Sequence, residues 1–198
     1  MGLVFGVKHA LEPDHLAAVG TFVPKHATPR GAAYIGALWG AGHAVAVLVL
    51  GSVLLSLQLN LPEWVDSRLE QLVGVVLVGL GARALIYGYK VKRSPAHEVH
   101  AHHANWHPFV VGLTHGIAGT GAVSLLAVAV DGSIGSGLFF LLVFGAGSAL
   151  GMSMIAGIFA LPIQRIEALG NYKGLVHIVS GIVSIVIGVW WFFKAALS

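Results

Sequence analysis

Residues 9–15 read His-Ala-Leu-Glu-Pro-Asp-His, a dense group of potential ligands in an otherwise apolar stretch. Imidazole nitrogens with one carboxylate oxygen suit Ni, Co, Cu or Zn and are a poor set for Mg or Ca. The surrounding stretch, Gly2 to Val23, is long enough to cross a bilayer. Lys8, His9, Glu12, Asp14 and His15 all fall within it. A charged group at the centre of a membrane helix costs about 2.5–3.5 kcal/mol, so such a cluster inside lipid marks a site. The plain alternative is a polar helix end resting at the water interface.

Geometry favours a broken helix. At about 100° per residue, Asp14 would lie roughly 140° around from His9, and His15 roughly 120° the other way. The three cannot converge from one straight helix. Pro13 has no N–H for the carbonyl of His9 and disfavours helical geometry at Glu12, so a break there would bring them together. Loosened backbone beside clustered His and Asp is how ion sites are built in membrane helices.

The elements that must hold this group are membrane helices. The 198 residues are 57% hydrophobic and 10% charged, with a mean hydropathy of +0.86, whereas a soluble domain carries about 25% charged residues. Zero cysteines exclude disulfides and thiolate sites, and a net charge of +3 offers nothing for nucleic acid. Met1 leads almost at once into apolar sequence, so no cleaved leader is expected. Six apolar segments are predicted, at roughly 2–23, 31–57, 68–89, 108–130, 136–160 and 173–196. Pro24, Pro29, Pro62, Pro95, Pro108, Asp131-Gly132 and Pro162 punctuate them. Trp190, Trp191 and Lys194 read as an interfacial anchor. With alternating helices, Lys25, Arg30, Lys90, Lys92, Arg93, Arg165 and Lys173 share one face, and Arg68 and Lys194 the other. The richer face is expected to be cytoplasmic, which puts both termini outside. Arg83, with Lys90, Lys92 and Arg93, reads as snorkelling toward headgroups.

The halves resemble each other. Gly6-Val7-Lys8-His9-Ala10 matches Gly112-Leu113-Thr114-His115-Gly116, and Trp39-Gly40-Ala41-Gly42-His43 matches Phe144-Gly145-Ala146-Gly147-Ser148. Gly74 and Gly81 match Gly181 and Gly188, with offsets held between 105 and 107 residues. Three helices per half is an odd number, so the second half enters from the opposite face, as in inverted-repeat transporters. The expected fold is therefore all-α: a single polytopic transmembrane domain over 1–198 with six helices in two inverted three-helix repeats. Repeat one covers about 1–90, a His-rich loop about 91–107, and repeat two about 108–198.

Within this frame the first half holds the ligands, since Asp14, His15 and His43 map to Thr120, Gly121 and Ser148. His43 lies some 20 Å along the second helix, and Gly40, Ala41 and Gly42 let a neighbour come close. Alone it would be read as a structural histidine on a carbonyl; its company points to a ligand. His115 and Ser148 read as supporting or path positions, and His177 as a weaker candidate. Glu12 reads as a charge partner of Lys8 rather than a ligand. His97, His100, His102, His103 and His107 make a compositional metal-binding signal without assigned geometry.

The His-X4-Asp-His pattern of His9, Asp14 and His15, followed by Gly42-His43, resembles the nickel/cobalt transporter (NiCoT) family of the NicO superfamily. The chain is most similar to its short six-helix branch associated with urease accessory genes. The resemblance implies metal binding by His9, Asp14, His15 and His43, a donor set able to take the tetragonal geometry that suits Ni(II). Larger family members carry acidic motifs in later helices; the matching stretches here, 119–122 and 147–153, contain no carboxylate.

The expected function is a nickel permease, with cobalt as second cargo, in a prokaryotic cytoplasmic membrane. It would be a secondary carrier, not an enzyme, with no cofactor and no nucleotide-binding motif. Its partners would be the ion, the bilayer and a cytoplasmic metal acceptor; nothing in the sequence sets an oligomeric state. A ligating His must be neutral, so protonation is an expected route to release. Rival readings are efflux through the same site, a membrane metalloenzyme with Glu12 as base, and a metal-binding accessory protein.

Overall fold

The structure, a computed structural model, describes residues 1–25, 28–93, 106–131, 133–168 and 172–197. The described residues form helices and turns without a strand. In chain order the helices are α1 (Gly2–His9), α2 (Pro13–Phe22), a 3₁₀ turn (Val23–Lys25), α3 (Pro29–Ser56), α4 (Glu63–Arg93), α5 (His107–Asp131), α6 (Ile134–Ala168) and α7 (Lys173–Leu197). Four of these, α3, α4, α6 and α7, are long and apolar enough to cross a membrane. Large apolar side chains such as Val179, Val186 and Phe193 of α7 and Phe139 and Leu150 of α6 face outward. Water does not support such a surface and lipid does. This is a helical membrane protein.

The first apolar segment is broken, as its proline requires. Glu12 has φ −64 and ψ 149, extended backbone, and Pro13 opens α2, where its missing N–H costs nothing. In tight turns, the carbonyls of Lys8 and His9 accept from Leu11 N and Glu12 N, each at 3.0 Å. The His9 carbonyl expected to be free is thus satisfied locally. Two boundaries differ from the hydrophobic pattern. α4 starts at Glu63 instead of near residue 68, with Glu63 and Asp66 in its first turn, where acidic groups suit the helix dipole. α6 runs through Pro162 to Ala168, because neighbouring groups in a membrane bundle can compensate one lost helix bond.

Close helix contacts rest on missing side chains. α4 lies along α7, α3 along α5 and α6, and α1 along α6. A Cβ on Gly74 would meet Gly188 O at 2.7 Å, and one on Gly188 would meet Gly74 O at 2.7 Å; Gly81 and Gly181 share the same relation at 2.6 and 2.7 Å. This pairing makes α4 and α7 antiparallel, and Ser184 Oγ donates to Leu77 O across them at 2.8 Å. A Cβ on Gly6 would collide with Phe144 O, and one on Gly112 with Trp39 O. Gly40 meets Ala149 as Gly145 meets Ala44. Backbones this close gain packing that lipid cannot offer. Arg83 Nη1 donates to His107 Nε2 at 3.0 Å. His97, His100, His102 and His103 lie outside the described residues.

Candidate metal centre

His9 ends α1, His15 lies in the first turns of α2, and His43 sits fourteen residues into α3, about 21 Å from its start. The break between α1 and α2 turns His9 and His15 toward each other, with ring centroids 4.5 Å apart. His43 completes the group at 5.0 Å from His9 and 5.4 Å from His15. One ligating atom from each of the three lies within 4.8 Å of the others. His43 reaches them because Gly42 lets the Phe109 carbonyl of α5 press on α3 and Gly40 admits Ala149 of α6.

The remaining sequence candidates fall into supporting positions. Asp14 Oδ1 accepts from His15 Nδ1 at 3.1 Å. Its carboxylate groups with Glu12 and His15 in a second set of ligating atoms within 4.8 Å of one another, which shares His15 with the three-imidazole set. Glu12 pairs with His9 Nδ1 at 3.1 Å, not with Lys8, because the tight turn carries it back over His9. His115, on α5, adds a fourth ring 5.6 Å from His15, and its Nδ1 donates to Val111 O at 3.1 Å. Ser148 is fully buried on α6 against Gly6, and its Oγ has no partner. His177 packs on Tyr87 at 4.6 Å between ring centroids, within the α4–α7 pair.

Three of the imidazoles thus have Nδ1 engaged by an oxygen while Nε2 is buried without a partner: His9, His15 and His115. Neither ring nitrogen of His43 has one, although the residue is 0% exposed and His15 only 2%. An oxygen on Nδ1 fixes the tautomer with a lone pair on Nε2, the state a metal requires. Buried nitrogens without donors or acceptors cost about 1–3 kcal/mol each. A borderline-soft cation would answer those of His9, His15 and His43 at once.

The sequence is similar to a urease accessory protein. The chain is 29% identical to the urease accessory protein UreH of Bacillus sp. (strain TB-90) over 208 aligned residues, spanning all of this chain and 91% of that relative. No protein-family profile and no solved structure matches the chain.

Two features around the centre escaped sequence reading. Trp39 forms one wall, its ring 5.3 Å from His15 and 5.8 Å from His115. On the other side lies a cavity of about 300 Å³ lined by His9, Asp14, His15 and His115 together with Asp66 and Glu70 of α4. A tryptophan in an apolar helix and an acidic pair at a helix start carry no signal of their own in a sequence.

Proposed function

We propose that this protein is a nickel-ion carrier, with Co(II) as a second cargo, of a prokaryotic cytoplasmic membrane. The observation that carries the reading is the buried trio of His9, His15 and His43, with ligating atoms within 4.8 Å and unpartnered nitrogens. Three neutral imidazoles in a water-poor bundle favour late first-row divalent ions over Mg or Ca. Asp14 holds the tautomer of His15 and supplies negative charge beside the ion, and Glu12 does the same for His9. The likeness to UreH, an accessory protein of urease, supports a role in metal supply over catalysis. Glu12, the candidate base that the sequence suggested for a metalloenzyme, is engaged with His9.

The carrier reading includes six spans in two inverted repeats. The 25 residues of α5 extend about 37 Å, and α1 with α2 makes one broken span of roughly 30 Å. The exchanged contacts support the repeat: Gly6 against Phe144 in one half pairing is Gly112 against Trp39 in the other. Such architectures move a midplane ion by rocking one repeat against the other. Cargo released inward would pass to a cytoplasmic metal acceptor.

The test is Ni(II) uptake into liposomes containing the purified protein, wild type beside His15→Ala, with Co(II) and Zn(II) as competitors. Saturable uptake that the variant loses is expected. Wild-type protein that binds Ni(II) but moves none would replace the carrier with a binding role.

A further inference from the structure

The cavity beside the imidazoles carries oxygen donors that the trio does not use. Asp66 and Glu70 stand one helical turn apart on α4, so both face the same side, and both line the cavity with His15 and His115. Asp66 Oδ1 is buried without a partner, turned toward α5, where a Cβ on Gly121 would meet it at 2.9 Å. Deeper in, His115 is 2% exposed, lines the same cavity, and its Nε2 has no partner. Both ends of the cavity thus lack a cationic or donating occupant. Glu12, Asp14, Asp66 and Glu70 face it against the ammonium of Lys8, leaving its charge negative.

We propose that Asp66 and Glu70 form an outer cation site, distinct from the imidazole trio, which receives a hydrated divalent transition-metal ion and passes it inward beside His115. The inference rests on the carrier reading above. Carboxylate oxygens accept from the water shell of such an ion without stripping it, so the outer site holds cargo weakly. The imidazoles then replace the waters with nitrogen donors. The cavity lies at the start of α4 against the middle and C-terminal half of α5, where Asp66 approaches Gly121. In the orientation with both termini outside, that is the outer end of the bundle. A negative cleft with low-dielectric walls raises cation association by about 10–10³.

Stopped-flow binding of Co(II), which absorbs in the visible when nitrogen-ligated, tests this on the full chain in detergent. The Asp66→Asn/Glu70→Gln variant is expected to keep the wild-type absorption spectrum and dissociation rate. Its association rate should fall about tenfold at low salt and lose its dependence on added NaCl. A wild-type association rate and salt dependence in that variant overturns the outer site and leaves the imidazole centre standing. A Co(II) spectrum unchanged by His15→Ala overturns the centre and the outer site with it. Should the double variant fail to fold, Glu70→Gln with a native melting curve decides the matter by its salt slope.

Discussion

Asp14 and Glu12 do the same work in different surroundings, each fixing the Nδ1 proton of a histidine. Asp14 is 8% exposed in its side chain and Glu12 48%, so water competes for Glu12 and hardly for Asp14. Asp14→Asn keeps the shape and removes the charge, and Ni(II) affinity should fall by about 10–100-fold. Glu12→Gln should cost clearly less. Competition titration against a coloured chelator ranks the two, and equal losses would contradict the difference in burial. His9, Asp14, His15 and His43 were legible because ionisable residues in apolar sequence stand out. The hydrogen bond from His15 to Asp14 was not legible: which atom a carboxylate meets depends on side-chain direction.

Among the elements, the break before α2 is the feature on which the centre depends. Replacing Pro13 by Ala removes a penalty of about 3 kcal/mol against a continuous helix. Pro13→Ala should then retain or gain helicity by circular dichroism while its Co(II) affinity drops, because a straight helix parts His9 from His15. Unchanged affinity would show that tertiary packing alone holds the bend. The helix contacts make a paired prediction. Gly112→Leu drives a side chain into the Trp39 carbonyl and should prevent recovery of folded protein, whereas Gly79, with nothing within 4 Å, tolerates Ala. Gly79→Ala should be stabilising by up to about 1 kcal/mol in a detergent melt. At the end of α3, Gln58 has φ 52, with Leu59 N bonded to Leu54 O at 2.9 Å and Gln58 N to Leu55 O at 3.2 Å. That is a Schellman turn, in which glycine is the residue of least strain. Gln58→Gly should raise the melting temperature. The hydrophobic pattern located every helix here and misjudged the ends at Glu63 and Ala168, since polar residues extend a helix without entering its apolar stripe.

For the whole molecule, the charge asymmetry of the connections predicts the sides. The chain has no cysteine, so single introduced thiols report topology cleanly. Asn60→Cys, between α3 and α4, should react with an impermeant maleimide on intact cells, and Lys92→Cys only after permeabilisation. The reverse pattern would invert the orientation and turn the cavity toward the cytoplasm. By itself the sequence determined membrane class and the broken first helix, and it proposed the duplication and the principal histidines. Each is a local or periodic property, carried by composition, a single proline or a constant offset. Tertiary structure alone decided that His43 and His115 come up against His15, and that Asp66 and Glu70 open onto the same cavity. Those contacts join residues far apart in the chain, and they exist because glycines let α1 and α6, α3 and both α5 and α6, and α4 and α7 approach within backbone contact.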